Sequence, residues 1–323
     1  DREESLAAFA TRRVGQEAYE RLVQPLSAGI YAADPTQLSV DAALPQFVEM
    51  EQAFGSLAKG LAQRNRDAPS VSGARYSKFL SLREGLGQLV ERLVSRLQDM
   101  GVKLETQLTV TQIDRPSRWR VSAGLKSQHA DALILACPPK PIRAMIGGLD
   151  PTLAELLESI PSATLAIVCL AYERGQLETW PSASGFVVPA VESKGLIATS
   201  FASQKFEGRA PTGRVLLRAF LGGANHPEVL ELDDEQLVAA AHEQLAPLLG
   251  ITRGPHASTV ARWQDASPQY HLGHLQRVER IRAQVARHPG LVLAGNRYNG
   301  VGLPQCIRSA RHANRDLGLD ASL

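Results

Sequence analysis

The feature that most constrains the fold is a glycine-rich stretch near the C-terminal end, residues 290–308. It begins with an apolar run, Leu291–Ala294, bounded by Gly290 and Gly295. A short apolar run of this kind is typical of a strand that is covered on both faces. Pro304 follows the glycine-rich loop, and a helix accepts proline in its first turn. The stretch therefore predicts a strand, a loop and a helix in succession, with the helix N-terminus at the loop.

A loop of this kind brings free backbone N–H groups together at the positive end of a helix dipole. Such a point favours negative charge or an electron-rich carbonyl group. The sequence contains no P-loop, no Gly-x-Ser-x-Gly turn, no His-Glu-x-x-His and no Cys-x-x-Cys motif. Its histidines show no metal-binding spacing, and no Ser/His/Asp set can be assembled from it. An enzyme with this sequence would therefore rely on a bound cofactor for its chemistry.

The composition of the chain excludes several functional classes. The 323 residues provide enough apolar side chains for a large core and two domains. A net charge of +2 gives no reason to expect a nucleic-acid partner. Cys137, Cys169 and Cys306 are too scattered for a disulfide framework or a zinc site, and they favour a reducing compartment. No apolar run approaches the ~20 residues of a membrane span, and we expect no secretory leader.

Hydrophobic periodicity predicts helices at residues 3–29 and 44–63, and a strongly amphipathic helix at residues 85–100. We read these first helices as a helical subdomain, but some of their apolar faces could instead line a ligand pocket or contact a membrane. Residues 64–76 are polar and predict a loop. Four apolar segments then predict strands that resemble half of a dinucleotide-binding fold, at 102–105, 108–113, 119–123 and 132–136.

The character of the sequence changes after residue 141. Apolar segments with turns at short spacing predict an antiparallel sheet over residues 163–223, followed by a helix between Asp233 and Gly250. The predicted fold class is α/β, with a helical part, a part that resembles half of a dinucleotide-binding fold, and an antiparallel sheet.

Several stretches combine into a specific signal, namely residues 21–35, 45–51, 263–278 and 293–308. With these, the sequence resembles the oxygen-dependent protoporphyrinogen/coproporphyrinogen oxidase family of flavoproteins, within the amine-oxidase-like superfamily. The resemblance implies FAD as cofactor and the oxidation of a porphyrinogen to a porphyrin by O2 in haem biosynthesis. Two alternatives stay open: another flavoprotein of the amine oxidase or desaturase type, or an inactive fragment of such an enzyme.

The sequence departs from the family pattern at its beginning. Family members open with a strand, a Gly-x-Gly-x-x-Gly loop and a helix that hold the FAD pyrophosphate, and no such unit occurs in these 323 residues. A family arginine expected to pair with a substrate propionate is absent with it. We therefore expect this chain alone to bind FAD weakly or not at all, and to be inactive.

The resemblance implies how the α/β fold is divided. It implies a Rossmann-type, FAD/NAD(P)-binding-like domain that is incomplete at its N-terminus, a helical subdomain, and a substrate domain built on a mixed or antiparallel sheet. The predicted boundaries are 1–76 (helical, facing the substrate or a membrane), 77–140 (FAD-binding), 141–262 (substrate) and 263–323 (FAD-binding).

The resemblance implies cofactor contacts from the glycine-rich loop. Gly295 and Asn296 should approach the phosphates and ribityl chain, where a β-carbon at Gly295 would clash. Val301, Gly302 and Leu303 should place N–H groups near the flavin N1/C2 carbonyl edge, where the helix dipole stabilises negative charge. A tight turn that serves the fold alone is the alternative reading of these glycines.

The resemblance implies further cofactor contacts elsewhere in the chain. Val110 corresponds to the position whose backbone pairs with adenine, although an ordinary strand valine would look the same. Ala136 and Cys137 follow a predicted strand and should touch the cofactor. Trp263 corresponds to an aromatic residue near the flavin ring, but a core tryptophan is an equal alternative.

Substrate contacts are implied for Gly185, Val187 and Phe220, which correspond to positions that face the tetrapyrrole across from the flavin. Plain sheet-core residues are an equal alternative for each. Ser184 stands where an aromatic residue is frequent. No catalytic side chain and no metal ligand is assigned, because the flavin carries the chemistry.

The implied partners are the porphyrinogen and O2, and the implied location is the cytoplasm. The sequence leaves open which porphyrinogen is used, whether the protein touches a membrane surface, and whether it forms a homodimer.

Overall fold

The computed structural model of the protein describes residues 3–67 and 81–318. Helices and strands alternate along much of this part of the chain, and a π-helical segment at Tyr19–Val23 joins α2 to α3. The helices are α1 (Leu6–Val14), α2 (Gln16–Ala18), α3 (Gln24–Tyr31), α4 (Val40–Ala43), α5 (Pro45–Phe54), α6 (Leu57–Asp67), α7 (Gly87–Asp99), α8 (Pro139–Ile146), α9 (Pro151–Glu158), α10 (Ala202–Lys205), α11 (Asp234–Leu249), α12 (His274–Val285) and α13 (Leu303–Asp316).

The strands form separate sheets that together confirm the predicted α/β class. In chain order they are β1 (Gln112–Asp114), β2 (Trp119–Ala123), β3 (Lys126–Ala130), β4 (Leu133–Leu135), β5 (Ser162–Glu173), β6 (Gly185–Val187), β7 (Leu196–Phe201), β8 (Arg214–Gly222), β9 (Ala257–Pro268) and β10 (Leu291–Leu293). β1, β2 and β3 form a small antiparallel sheet, β4 and β10 pair in parallel, and the other strands form one larger sheet.

The helical pattern predicted over residues 44–63 is divided at Gly55. This glycine has φ +63°, and its N–H donates to the carbonyl of Glu51, which ends α5. A left-handed residue at this position is the usual way for a helix to end, and glycine adopts it without steric cost. α6 then runs to Asp67, so the loop predicted at 64–76 begins later than expected, and its remainder lies outside the described residues.

The amphipathic helix predicted at 85–100 is present as α7, but its apolar face is exposed. Val90, Leu93 and Leu97 are 61%, 54% and 36% exposed, and none of the residues of α7 is buried by the described part of the protein. The periodicity therefore predicted the helix correctly, but it did not predict whether another part of the protein covers its apolar face. Within residues 3–67 and 81–318, no helix has the length and apolar character needed to cross a bilayer.

The first strands differ from those predicted. Residues 102–105 form no strand, and the strand predicted at 108–113 is reduced to β1. β3 was not predicted because its residues are polar and mostly exposed, and it pairs with β2 through a hairpin turn at Gly124. α8 was not predicted either, because Pro138 and Pro139 suggested only the end of a strand. Pro139 in fact occupies the first turn of that helix, where its missing N–H costs nothing.

The larger sheet has the strand order β6-β7-β8-β5-β9, and all of its pairs are antiparallel, as predicted. α11 covers one face and forms the largest core cluster with it, including Val168, Leu217 and Leu237. β9 runs past Trp263 to Pro268, because it keeps pairing with β5 across a bulge. The opposite face of the sheet is only partly covered, and the candidate site lies on it.

A second core cluster forms around the parallel pair β4–β10. Leu135 and Leu291 from these strands pack with Ile142 of α8, Leu153 of α9 and Ile281 of α12. This cluster fixes the edge of the pair at which the glycine-rich loop leaves β10. The predicted domain boundaries stay predictions.

Asp150 joins three parts of this second cluster. Its carboxylate accepts the N–H of Leu153 at 2.9 Å as the N-cap of α9, and a side-chain N–H of Gln284 at 2.8 Å. His288 Nε2 lies 2.6 Å from its Oδ2. Burial alone would raise the pKa of this carboxyl, but the hydrogen bonds from His288, Leu153 and Gln284 outweigh it and hold the pKa below its usual range.

We expect Asp150→Ala to lower the free energy of unfolding by about 3 kcal/mol, because it removes the N-cap of α9 and leaves Gln284 of α12 and His288 without their acceptor. Urea unfolding at pH 7 measures the change. Asp150→Asn is the matched control, since an amide oxygen still caps α9, and it should cost clearly less. An equal loss in the two variants would contradict this account of the network.

Candidate cofactor and substrate cleft

The ends of β4 and β10 bring two of the predicted cofactor segments together. The strands are parallel, with Leu135 beside Leu293, so both chains leave the sheet at the same edge. Ala136 and Cys137 follow β4 there, next to Gly295 after β10. This carboxyl edge of parallel strands is where open α/β sheets bind their ligands.

Gly295 leaves open space at this edge. Its φ of +135° strongly favours glycine, and a Cβ built on it would meet no atom of the described residues within 4 Å. Its N–H donates to Oγ of the buried Ser309 at 3.0 Å, which holds the loop against α13. The position can therefore admit a group that approaches the backbone closely, as the phosphate or ribityl part of a dinucleotide would.

The loop ends at the N-terminus of α13, as predicted. Gly302 is the N-cap with extended backbone, and Pro304 lies in the first turn. Among residues 3–67 and 81–318, no acceptor hydrogen-bonds the N–H groups of Val301, Gly302 or Leu303. Free donors at the positive end of a helix dipole fit an electron-rich carbonyl edge, such as that of a flavin.

Tyr270 joins the two ends of the loop. Its hydroxyl donates to the carbonyl of Asn296 at 2.5 Å and accepts the N–H of Gly300 at 2.7 Å. Burial raises the pKa of this phenol well above its ordinary value, so the hydroxyl stays protonated and can fill both roles. The sequence did not predict Tyr270 as a site residue, although it lies in the stretch 263–278, which carries the family resemblance.

The ring of Tyr270 is held between two other aromatic rings. It stacks on His274 with centroids 3.9 Å apart and lies 6.3 Å from the ring of Tyr31. His274 is buried, and neither of its ring nitrogens has a hydrogen-bond partner of ordinary geometry among the described residues, although the backbone of Tyr298 is near enough to favour its charged form. Burial is the main cause that lowers the pKa of His274 to about 4, so its ring is neutral at physiological pH.

Arg297 connects the same loop to the larger sheet. Its buried guanidinium donates to the carbonyl of Ile160 at 3.1 Å, to Ser162 Oγ at 2.5 Å, and to the carbonyl of Asp265 at 3.3 Å. Burial lowers the pKa of Arg297, and no carboxylate within the described ranges forms an ion pair with it. This residue was also absent from the predicted site, because a sequence motif does not show which loop side chains turn inward.

A cleft of ≈ 320 Å³ lies between this loop, α3 and the open face of the larger sheet. It brings together Asn296 and Val301 from the loop with Trp263 of β9 and Phe220 of β8. Trp263 is 53% exposed, so it is not a core tryptophan. The cleft therefore unites residues predicted for the cofactor with a residue predicted for the substrate.

The remaining predicted residues lie around this cleft or away from it. Val187 shares a cross-strand row with Ala198 and Phe220 and lies under α3 at Gly29. Close packing of the backbone is enough to require glycine at position 185, because a Cβ there would lie 2.1 Å from the carbonyl oxygen of Thr199. Val110 is outside any described strand and packs against the second core cluster.

The described residues contain no group of three or more His, Cys, Asp or Glu side chains arranged to hold a metal ion.

The family model for flavin-containing amine oxidoreductases matches residues 1–317 of the chain. The chain belongs to this family. The match confirms the family resemblance found in the sequence. Because the members of this family contain flavin, FAD is the cofactor of the protein.

The individual relatives that the chain resembles are named as porphyrinogen oxidases. A coproporphyrinogen III oxidase of Bacillus subtilis (strain 168) is 30% identical over 318 residues, which are 97% of this chain and 67% of the relative. A chloroplastic protoporphyrinogen oxidase 1 of Spinacia oleracea is 28% identical, over 95% of this chain and 59% of its own. A crystal structure of a candidate protoporphyrinogen oxidase from Exiguobacterium sp. 255-15 superposes with a TM-score of 0.82 at 30% identity, covering 99% of this chain and 68% of that one.

The chain thus spans about two thirds of the length of the bacterial relatives it matches. The expectation that these 323 residues alone bind FAD weakly and are inactive stays a prediction, as do the individual roles of the site residues.

We expect Tyr270→Phe to loosen the loop, because Asn296 and Gly300 lose their shared partner. The free energy of unfolding should fall by about 1–3 kcal/mol, and the Gly300 amide should exchange its hydrogen faster. Tyr31→Phe is the matched control: it removes a buried hydroxyl that donates to the Ala43 carbonyl at 2.7 Å, far along the chain from the loop. Equal Gly300 exchange in the two variants would show that the Tyr270 hydroxyl does not hold the loop.

The buried His274 should make stability fall with acid. Its pKa is about 4 in the folded protein and near 6.5 in the unfolded chain, so above 6.5 neither state is protonated at this residue. Between these values only the unfolded chain takes up the proton, and the free energy of unfolding should decrease by up to about 3 kcal/mol as pH falls. Denaturant unfolding from pH 7 to pH 4 measures the slope. His274→Phe keeps the stack on Tyr270 and should reduce the slope of the free energy of unfolding against pH. An unchanged slope would show that other groups cause the effect.

Proposed function

We propose that the protein oxidises a porphyrinogen to the corresponding porphyrin with FAD as cofactor and O2 as final electron acceptor. The relatives named above support the reaction class. The observation that carries the proposal is the cleft, in which the cofactor loop and an aromatic wall of the larger sheet face the same space. A substrate held there would lie against the flavin and the sheet at once.

Residues at the ends of β4 and β10 would hold the cofactor. The open space beside Gly295 suits the ribityl and phosphate part, and the N–H groups of Val301, Gly302 and Leu303 suit the carbonyl edge of the ring. When bound, FAD accepts hydride equivalents from the substrate and passes the electrons to O2. Tyr270 and Arg297 contribute by holding the loop in the shape that presents these donors.

The walls of the cleft suit a broad apolar ring. Leu165 and Ile167 of β5 lie beside Phe220 and Trp263, and α3 closes the space from the other side. None of the described residues that line the cleft has a side chain that titrates near neutral pH. The substrate would therefore be positioned by shape and stacking.

A cytoplasmic location is part of the proposal. Contact with a membrane surface and formation of a homodimer stay open.

The test is a reaction under air with the full-length, FAD-loaded protein, because residues 1–323 alone are expected to bind FAD weakly and to be inactive. The substrate is either coproporphyrinogen III or protoporphyrinogen IX. We expect porphyrin fluorescence to appear together with hydrogen peroxide. Phe220→Arg places a charge on the cleft wall and should lower the rate at least roughly tenfold, while the flavin absorbance is kept. Phe54→Arg, at an exposed phenylalanine of α5 outside the cleft, is the matched control and should keep the rate. A yellow protein that forms no porphyrin from either substrate would refute the proposed function.

A further inference from the structure

The open face of the larger sheet carries a cation next to the aromatic wall of the cleft. Along β8, Leu217, Ala219 and Leu221 are buried in the core, so Arg218 and Phe220 lie together on the opposite face. The Arg218 guanidinium lies 5.4 Å from the centre of the Phe220 ring. The aromatic surface of the cleft therefore continues directly into a positive charge.

The register of the sheet fixes where this charge lies relative to the cofactor loop. Trp263 is opposite Leu165, and Phe220 is opposite Ile167, in the next cross-strand row. Arg218 occupies the row after that, a further two residues or about 7 Å along β8. The loop lies at the Trp263 end of this series, because Arg297 donates to the carbonyl of Asp265 on the same strand. Arg218 is therefore at the end of the wall that is remote from the flavin.

The row that contains Arg218 leaves room for a ligand group. The guanidinium is flanked by the small side chains of Ser200 on β7 and Cys169 on β5, and Gly185 follows Ser200 on β6. A flat molecule that covers Phe220 can extend over this row without meeting a large side chain from β5, β6 or β7.

The charge of Arg218 is not neutralised by a carboxylate. It is exposed, and no Asp or Glu of residues 3–67 and 81–318 lies within 4.0 Å of its guanidinium nitrogens. A positive charge that no carboxylate of the described residues neutralises, next to an aromatic wall, is complementary to an anionic group on an aromatic or apolar ligand.

We propose that Arg218 binds a propionate carboxylate of the porphyrinogen, at the edge of the macrocycle that points away from the flavin. This inference rests on the proposed function and names the part of the substrate that the protein recognises. A planar guanidinium can hold a carboxylate through two parallel hydrogen bonds while its stem stays against Phe220. Arg218 is thus a substrate-orienting residue, and it takes no part in the transfer of hydride.

The proposal also bears on the choice of substrate. Coproporphyrinogen carries a propionate on each of its pyrrole rings, whereas protoporphyrinogen carries apolar vinyl groups on some of them. A cation at the remote edge can be satisfied by the first substrate in any orientation that places the ring over Phe220. It therefore favours the more highly carboxylated porphyrinogen.

The test uses the full-length, FAD-loaded protein and two stable probes, coproporphyrin III and its tetramethyl ester, in which methyl groups remove the charge of the propionates. Dissociation constants are measured by porphyrin fluorescence at low and high salt. The unaltered protein should bind the acid more tightly than the ester, with the difference shrinking as salt increases. Arg218→Gln should weaken binding of the acid roughly tenfold or more and leave binding of the ester unchanged. Arg218→Lys should keep part of the difference, because it keeps the charge without the planar donors.

Arg214→Gln is the matched control. It removes the same charge from the same face of β8, four residues from Arg218 and at the far side from the cleft, where its nearest carboxylate is Glu173 at 3.9 Å. It should bind both probes as the unaltered protein does. In turnover, Arg218→Gln should raise KM for coproporphyrinogen with little change in kcat, as expected for a group that acts in binding.

The outcomes separate this inference from the proposed function. If the unaltered protein binds the acid and the ester equally well, or if Arg218→Gln weakens both alike, the carboxylate site is refuted while the porphyrinogen oxidase remains. An effect of Arg214→Gln as large as that of Arg218→Gln would reduce the result to general electrostatic attraction and refute the site too. A protein that binds neither probe would overturn the proposed function and this inference with it.

Discussion

The site depends on one buried hydroxyl group. The glycine-rich loop must leave its backbone donors free for a ligand, so it cannot fix its own shape by satisfying them internally. Tyr270 fixes it from outside, with one hydrogen bond to each end of the loop, and the stack on His274 fixes Tyr270 in turn. Both aromatic residues come from the junction between β9 and α12. The geometry of the cofactor edge is therefore set by a segment some thirty residues away in the sequence.

The two faces of the larger sheet have different roles, one in the stability of the fold and the other in forming the cleft. One face is packed on α11 and forms the largest core cluster, while the other forms the wall of the cleft. Arg297 couples the two parts of the molecule, because its guanidinium joins the loop to the beginning of β5 and to β9. A buried cation that is satisfied by carbonyl and hydroxyl oxygens requires those oxygens to stay in place. The relative position of loop and wall is thus maintained by the cost of leaving that charge unpaired.

The sequence predicted the parts of the fold that local rules determine. The antiparallel sheet, the ends of α11 at Asp233 and Gly250, and the strand–loop–helix around Gly302 follow from periodicity, capping and turn chemistry. It could not predict β3, whose polar residues form a strand only because β2 offers partners, or the exposure of α7, since periodicity does not say what covers a face. Tyr270 and Arg297 were missed for the same physical reason: their roles are long-range contacts.

The alternation along β8 has a consequence for how such a protein can change. Substitutions at Leu217, Ala219 or Leu221 disturb the packed core, whereas Arg218 and Phe220 lie on the opposite face, where Arg218 is exposed and Phe220 lines the cleft. If the cleft binds a tetrapyrrole as proposed, substitutions on this second face can change substrate preference at a smaller cost in folding free energy. A single strand of this kind lets substrate choice diverge among descendants while the scaffold that holds the flavin is inherited unchanged.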